Sequence, residues 1–410
     1  MNNFVQTWKN FTAAPHRVMF FSGALQIVAV MLWWLVDMTT RYGIAGMPIT
    51  WGIMPSAIHM YLMVFSVFPS FIFGFIMTTF SRWMGGSEIS MSKYVAAFLL
   101  LFTGNVLFYI GLVTDSSVLI IAVASTLAGW AVGIYALLRV VLDTPPSDKT
   151  NPIVILAALG LGWSGLAEFF VWLLNGNAQL LLLAMLSGIW LFLVPLFVSV
   201  GHRMIPFFTM SALPNLQITR PVWPWWTLLA GSVVHMLLLL NDATAWLWLS
   251  DAPMMIAAFY LSYCWGFLNS FKNPMLSVLH VGFAWLGIAM LLFTLQSAVQ
   301  FISLNTIFIL GMAPLHALTI GCFGSLVIGM GTRVTLGHSG LPFIVDAALK
   351  LMFIGVQIAA ILRVIADILP HRYSSALYLA ATLVWLACFI PWVWRYLPAY
   401  WRVRADGKPG

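Results

Sequence analysis

The chain has 410 residues, 62% of them hydrophobic and only 7% charged, and a mean hydropathy of +0.98. Soluble domains carry roughly 25% charged residues, so this composition excludes an ordinary soluble enzyme and makes the lipid bilayer the chain's solvent. The net charge of +7 is then a matter of membrane topology, and no nucleic-acid partner is implied.

The opening, MNNFVQTWKNFTAAPHRVMFF, has no A-x-A-like site after a short apolar core, so no removed signal peptide is expected. A helix needs about 20 mostly apolar residues to cross a hydrocarbon core of about 30 Å. That ruler gives twelve segments, at 18–38, 55–80, 93–113, 117–142, 152–174, 178–200, 222–240, 245–267, 275–297, 309–332, 342–368 and 374–398. Turn chemistry separates them: TPPSDKTNP at 144–152, NGN at 175–177, NDAT at 241–244 and NSFKNP at 269–274. The expected fold is all-α, a polytopic membrane helix bundle forming one integral membrane domain over 1–410. Cys264, Cys322 and Cys388 lie inside apolar runs with no CxxC or CxxCH pattern. Disulfides, paired-cysteine zinc sites and covalent c-type haem are therefore not expected.

Short-loop Lys and Arg residues set the orientation. With a cytoplasmic N-terminus, the inner side holds Lys9, Arg17, Arg82, Lys93, Arg139, Lys149, Arg203, Arg220, Lys272, Arg333, Arg395, Arg402, Arg404 and Lys408. The outer side holds only Arg41 and Arg372. Both termini are expected in the cytoplasm.

This topology gives each histidine a depth. His59 in the second segment, His235 in the seventh and His316 in the tenth fall within roughly 6–10 Å of the outer boundary at 1.5 Å per residue. Glu168 and Asp37 lie near the same level. A second group, His202, His280 and His338, lies toward the inner face with Arg203 and Arg333, while His16 and His371 flank segment ends as interface residues. His316 and Arg333 are separated by about 25 Å of continuous helix, and a metal–nitrogen bond is about 2 Å long. His316 and His338 therefore belong to different sites unless that helix breaks.

Ionisable groups within a membrane are costly and usually functional, but a neutral histidine also serves as a plain interhelical hydrogen-bonding group. Three imidazoles at matched depth suit copper, zinc or iron, so His59, His235 and His316 are the candidate metal ligands. His202, His280, His338, Arg203 and Arg333 are the candidate cofactor-binding set. Arginine grips carboxylates bidentately, and both arginines equally fit a role as positive-inside anchors. Glu168, in GWSGLAEFFVWLL, is a candidate proton-transfer group, ligand or structural anchor.

Four stretches carry a resemblance to a known family: PHRVMFF (15–21), IHMYLMVFSVFPSFIFGFIMTTFSRWMGG (58–86), GHRMIPFFT (201–209) and HALTIGCFGSLVIGMGTRVTLGHSGLP (316–342). They resemble the NnrS family of bacterial membrane proteins, associated with haem, copper and the nitric oxide response, and they run from the first segment to the eleventh. The resemblance implies a twelve-span protein of the bacterial inner membrane that binds haem and copper and protects against nitrosative stress. His59, His202, Arg203, His316, Arg333 and His338 lie in the matched motifs, whereas His235 and His280 rest on depth alone. Many members carry His-x-His-Glu where this chain has His59-Met60-Tyr61-Leu62, which makes Tyr61 a candidate hydrogen-bond donor or weak ligand alongside Glu168. Many also carry Arg where this chain has Leu341. Haem–copper oxidases and nitric oxide reductases are fold-level rivals, but neither HH nor HxH occurs here.

The expected function is haem and copper binding with nitric oxide as ligand or substrate, or buffering of metal–nitrosyl stress. The alternative is a metal or small-molecule carrier that uses the histidines at both faces without turnover. No soluble redox or nucleotide motif names an electron donor.

Overall fold

The computed structural model describes residues 3–145 and 148–407. Lys408, and Pro146 and Ser147 of the 144–152 break, lie outside them. Among the described residues the regular elements are all helical.

Among the described residues, eleven helical runs are long and apolar enough to cross a membrane. They are Pro15–Arg41, Pro55–Met84, Met91–Val113, Ser116–Asp143, Thr150–Asn175, Ala178–Ala212, Trp223–Leu240, Pro274–Ile302, Ala313–His338, Ala347–Ile368 and His371–Tyr400. The segment expected at 245–267 is a 3₁₀ turn, Thr244–Trp246, followed by a helix of 17 residues, Trp248–Cys264. That helix is about 26 Å long, a little short of a hydrocarbon core of about 30 Å. Spans are numbered below in chain order, with this short helix as span 8. The chain is a multi-pass helical membrane protein.

The ends of the spans follow from local chemistry. Proline occupies the first turn of spans 1, 2, 7, 9 and 10, where its missing N–H costs nothing and its fixed φ is already helical. Spans 4, 6, 9 and 11 start on Asp115, Asn177, Asn273 and Asp346. Each of these side chains accepts a backbone N–H of the first turn, from Ser117, Gln179, Met275 and Leu349 respectively. Gly85 and Gly176 close spans 2 and 5 in the left-handed conformation, with φ of 68° and 69°.

Spans 2, 6 and 10 each contain a wider, π-helical stretch: Tyr61–Val67, Ser187–Leu193 and Ala317–Gly324. Among the described residues there are no others. A π-turn inserts a residue into the helix and loosens its backbone ladder, and such turns gather at functional sites. Here they recur every fourth span, on the spans that carry three of the four family-like stretches.

The chain divides into two compact units. One comprises Met1–Leu193, Val334–Pro342 and Val393–Gly410; the other comprises Val194–Arg333 and Phe343–Trp392. Inside the first runs a buried polar chain. Tyr109 donates to Gln26 (3.0 Å), Gln26 to the Ser66 hydroxyl (2.7 Å) and Ser66 to Asn105 (2.7 Å). Ser66 sits in the π-turn of span 2, so the chain ties spans 1 and 3 to that turn. Within the second unit, Trp285 donates to Gln357 and Gln357 to Ser325, both at 2.7 Å. Polar groups buried away from water must be paired in this way.

Candidate metal and cofactor site

Among the described residues, no three His, Cys, Asp or Glu side chains converge closely enough to hold a metal ion. What the structure does show is how imidazoles are held, and in the second unit this separates His235 and His316 from His202 and His280.

In the second unit, His235 of span 7 lies 2.6 Å, Nδ1 to Oδ1, from Asp251 of span 8, with both side chains fully buried. The Ser250 hydroxyl also reaches Oδ1, at 3.0 Å, and Phe293 meets the imidazole edge-on with centroids 5.0 Å apart. The other oxygen, Asp251 Oδ2, is buried with no hydrogen-bond donor among the described residues. His316 of span 10 places Nδ1 3.0 Å from the Met312 carbonyl. A carbonyl oxygen only accepts, so His316 carries its proton on Nδ1, and the Asp251 carboxylate draws the His235 proton to the same nitrogen. Both rings thus keep the lone pair on Nε2. A ring N–H held by a carboxylate or carbonyl is the usual support of a metal-ligating histidine.

His202 and His280 are held the opposite way round. His202 Nε2 is 3.1 Å from the Pro221 carbonyl, with the ring stacked near Trp225 at 5.7 Å. His280 Nε2 is 2.9 Å from the Thr209 hydroxyl, which gives its own proton to the Ile205 carbonyl at 2.8 Å. His280 must therefore donate. Both inner rings spend Nε2–H on the protein.

The Arg333 guanidinium carbon lies over Phe208, 3.9 Å from its centroid, and 5.3 Å from that of Phe343. His280 and Arg333 therefore anchor on consecutive residues of span 6, Phe208 and Thr209. Arg203 is on the same helix, partly buried.

In the first unit, His59 stacks on Trp34 with centroids 4.4 Å apart, and the Arg41 guanidinium is 5.2 Å from that indole. Asp37 pairs with Arg41 and accepts the Trp51 indole N–H at 2.8 Å. Tyr61 is fully buried. Its hydroxyl lies 2.9 Å from Thr126, whose proton is committed to the Ala122 carbonyl, so Tyr61 donates to the protein. The ring is stacked on Phe108 (4.1 Å) and Phe169 (5.0 Å). Glu168, the neighbour of Phe169, accepts the hydroxyl of Ser187 at 3.2 Å, in the π-turn of span 6. The two catalytic candidates are thereby brought to adjoining positions.

His338 meets the ring of His16, with centroids 4.5 Å apart. His316 and His338 sit at the two ends of one unbroken helical run, Ala313–His338, and fall in different units.

Three contributors escaped the sequence reading. Asp251 sits in WLSDAPMM, and its only signal was a lone acidic residue inside an apolar segment. His16 looked like an interface residue of PHRVMFF. Trp34 was one of twenty tryptophans.

A multi-pass all-α membrane protein, with imidazoles oriented by oxygen acceptors and arginines set against aromatic rings, is the class that the fold and these residues define. Within that class, the NnrS protein family model matches residues 10–404, and the chain belongs to that family. Membership makes it a membrane protein of the nitric oxide response. No curated protein matches the sequence.

Proposed function

We propose that this chain binds haem and copper in the cytoplasmic membrane of a bacterium, with both termini on the cytoplasmic side. We further propose that it binds or turns over nitric oxide there and so relieves nitrosative stress on cellular metals. The observation that carries the metal part is the Asp251–His235 pair. A fully buried carboxylate fixes the imidazole tautomer with one oxygen and keeps the other without a donor, a donor set that fits a nearby cation.

His235 and His316 are the residues assigned to copper, since neutral imidazole suits that metal. When bound, copper supplies a redox-active centre with affinity for small diatomic ligands. Asp251 holds the His235 ring in place and balances positive charge, and the apolar spans exclude water. Arg333, set over Phe208, is assigned to a carboxylate such as a haem propionate. Arg203 is the second arginine assigned to that role. His202 and His280 position the helices around them.

The test is elemental analysis of detergent-purified protein with optical spectra of the oxidised and reduced forms, before and after addition of nitric oxide. Bound copper, and a haem band that moves with nitric oxide, are expected. His235→Ala should lose copper and keep its fold. Folded protein that takes up neither group refutes the proposal and leaves the histidines to a carrier or structural role.

A further inference from the structure

Where span 1 begins, the first unit collects positive charge that its own carboxylates do not neutralise. Arg17 is only 2% exposed. It donates through one guanidinium nitrogen to two backbone carbonyls, Asn10 (2.8 Å) and Arg402 (2.9 Å), and makes no ion pair among the described residues. By contrast, the partly buried Arg363 of span 11 has Asp367 as its partner.

Arg82 lies one helical turn beyond Thr78, whose hydroxyl oxygen accepts the His16 backbone N–H at 3.1 Å and lies 3.4 Å from His16 Nδ1, and Arg404 follows Arg402 on the segment that meets Ser339 beside His338. Asp406 is taken by Arg404, through paired contacts of 2.9 and 2.7 Å. Three guanidiniums against that one carboxylate leave a surplus of two positive charges around the buried His16 and the part-buried His338. The segment after span 12 closes over the cluster, with Ala405 N–H on the Ser339 carbonyl at 2.9 Å. A buried charge without a counter-charge costs several kcal/mol, and the fold keeps this one.

We propose that Arg17, Arg82 and Arg404, with His16 and His338, form a binding site for a phosphate-type oxyanion, supplied by the headgroup of an anionic phospholipid. Guanidinium forks match phosphate oxygens, and imidazole N–H groups add neutral donors. Basic pockets at the ends of membrane helices take anionic lipid headgroups.

The lipid source follows from the adjoining helix, Asn3–Phe11. It leaves Phe4 74% and Trp8 41% exposed beside Lys9, the make-up of a helix lying in the bilayer interface. Arg17 holds its last turn through the Asn10 carbonyl. The cluster therefore stands at headgroup depth. None of this depends on metal binding.

The experiment is thermal unfolding of the delipidated full chain in detergent, with added phosphatidylglycerol, phosphatidylcholine or inorganic phosphate. Phosphatidylglycerol should raise the apparent Tm by about 3–6 °C, and phosphatidylcholine should not. Arg82→Gln, at an exposed position, should fold normally and lose most of that rise, as should Arg404→Gln. Inorganic phosphate reproducing the whole rise upholds the oxyanion site and overturns the lipid as its source. Equal effects of both lipids, or a full rise in both variants, overturns the site.

Discussion

His235 and Asp251 form a fully buried pair 2.6 Å apart, joining span 7 to the short helix of span 8. The pair ties together the least obvious span of the fold and its best-oriented imidazole. Asp251→Asn keeps the volume but weakens the hold on the Nδ1 proton. Loss of an outer-shell partner of this kind costs about 10–100-fold in metal affinity. Copper retained per protein at limiting free copper reads that change. Asp251→Ala should in addition destabilise the fold by about 3–5 kcal/mol. Unchanged copper affinity in the Asn variant removes His235 from the metal site and leaves the pair as a structural bond.

The inner histidines should behave differently. Thr209→Val removes the acceptor of the His280 N–H and leaves a buried donor unsatisfied, a loss of about 1–3 kcal/mol. His280→Ala should cost a similar amount. Neither change should alter copper content, because His280 commits Nε2–H to the protein at 2.9 Å. Thermal melts paired with elemental analysis separate the two groups, and copper loss in Thr209→Val would contradict the division.

Tyr61 and Glu168 are the candidates for chemistry, and the structure predicts different outcomes for them. The Tyr61 hydroxyl is spent on Thr126 and its ring is enclosed by Phe108 and Phe169. Tyr61→Phe should lose about 0.5–1.5 kcal/mol of stability and retain nitric oxide binding. Glu168 is only partly buried and accepts a hydroxyl that also reaches the Leu183 carbonyl at 2.7 Å. Glu168→Gln preserves an acceptor for that hydroxyl and removes the titratable proton. If Glu168 transfers protons, nitric oxide consumption should fall in this variant while metal content and Tm hold. If consumption is also unchanged, Glu168 is a helix-packing residue.

Most spans were legible because the bilayer demands one simple property, about 20 apolar residues in a row. Span 8 strained that rule because its helix has 17 residues and carries Asp251 near its start. The family motifs were also legible as strings, but their partners were not. His235 needs Asp251 from the next helix, and His338 meets His16 across more than 300 positions of sequence. Pairings of that kind are set by packing, which hydropathy does not report. The π-turns were invisible for a related reason. An i→i+5 turn has no composition of its own, and Tyr61–Val67 reads like any apolar helix. Only its context shows what selects it: in spans 2 and 6 the loosened turns lie directly against each other.

That contact gives the sharpest test of the fold. A Cβ on Gly188, in the π-turn of span 6, would stand 2.7 Å from Val64 Cγ1 and 3.0 Å from Phe65 Cζ, both in the π-turn of span 2. Real Cβ atoms do not approach so closely, so the glycine is required by the crossing and not by its φ. Gly188→Ala should destabilise the protein by about 1–3 kcal/mol through overpacking. Val64→Ala alone removes two methyl groups and costs about 1–3 kcal/mol, roughly twice the one-carbon Ile→Val loss. In the double variant the added and removed methyl groups compensate, so it should be more stable than Gly188→Ala alone, with a coupling of about 0.5–3 kcal/mol. Strict additivity in that cycle would mean the two π-turns do not touch. The register of spans 2 and 6, and with it the placement of Tyr61 beside Glu168, would then have to be redrawn.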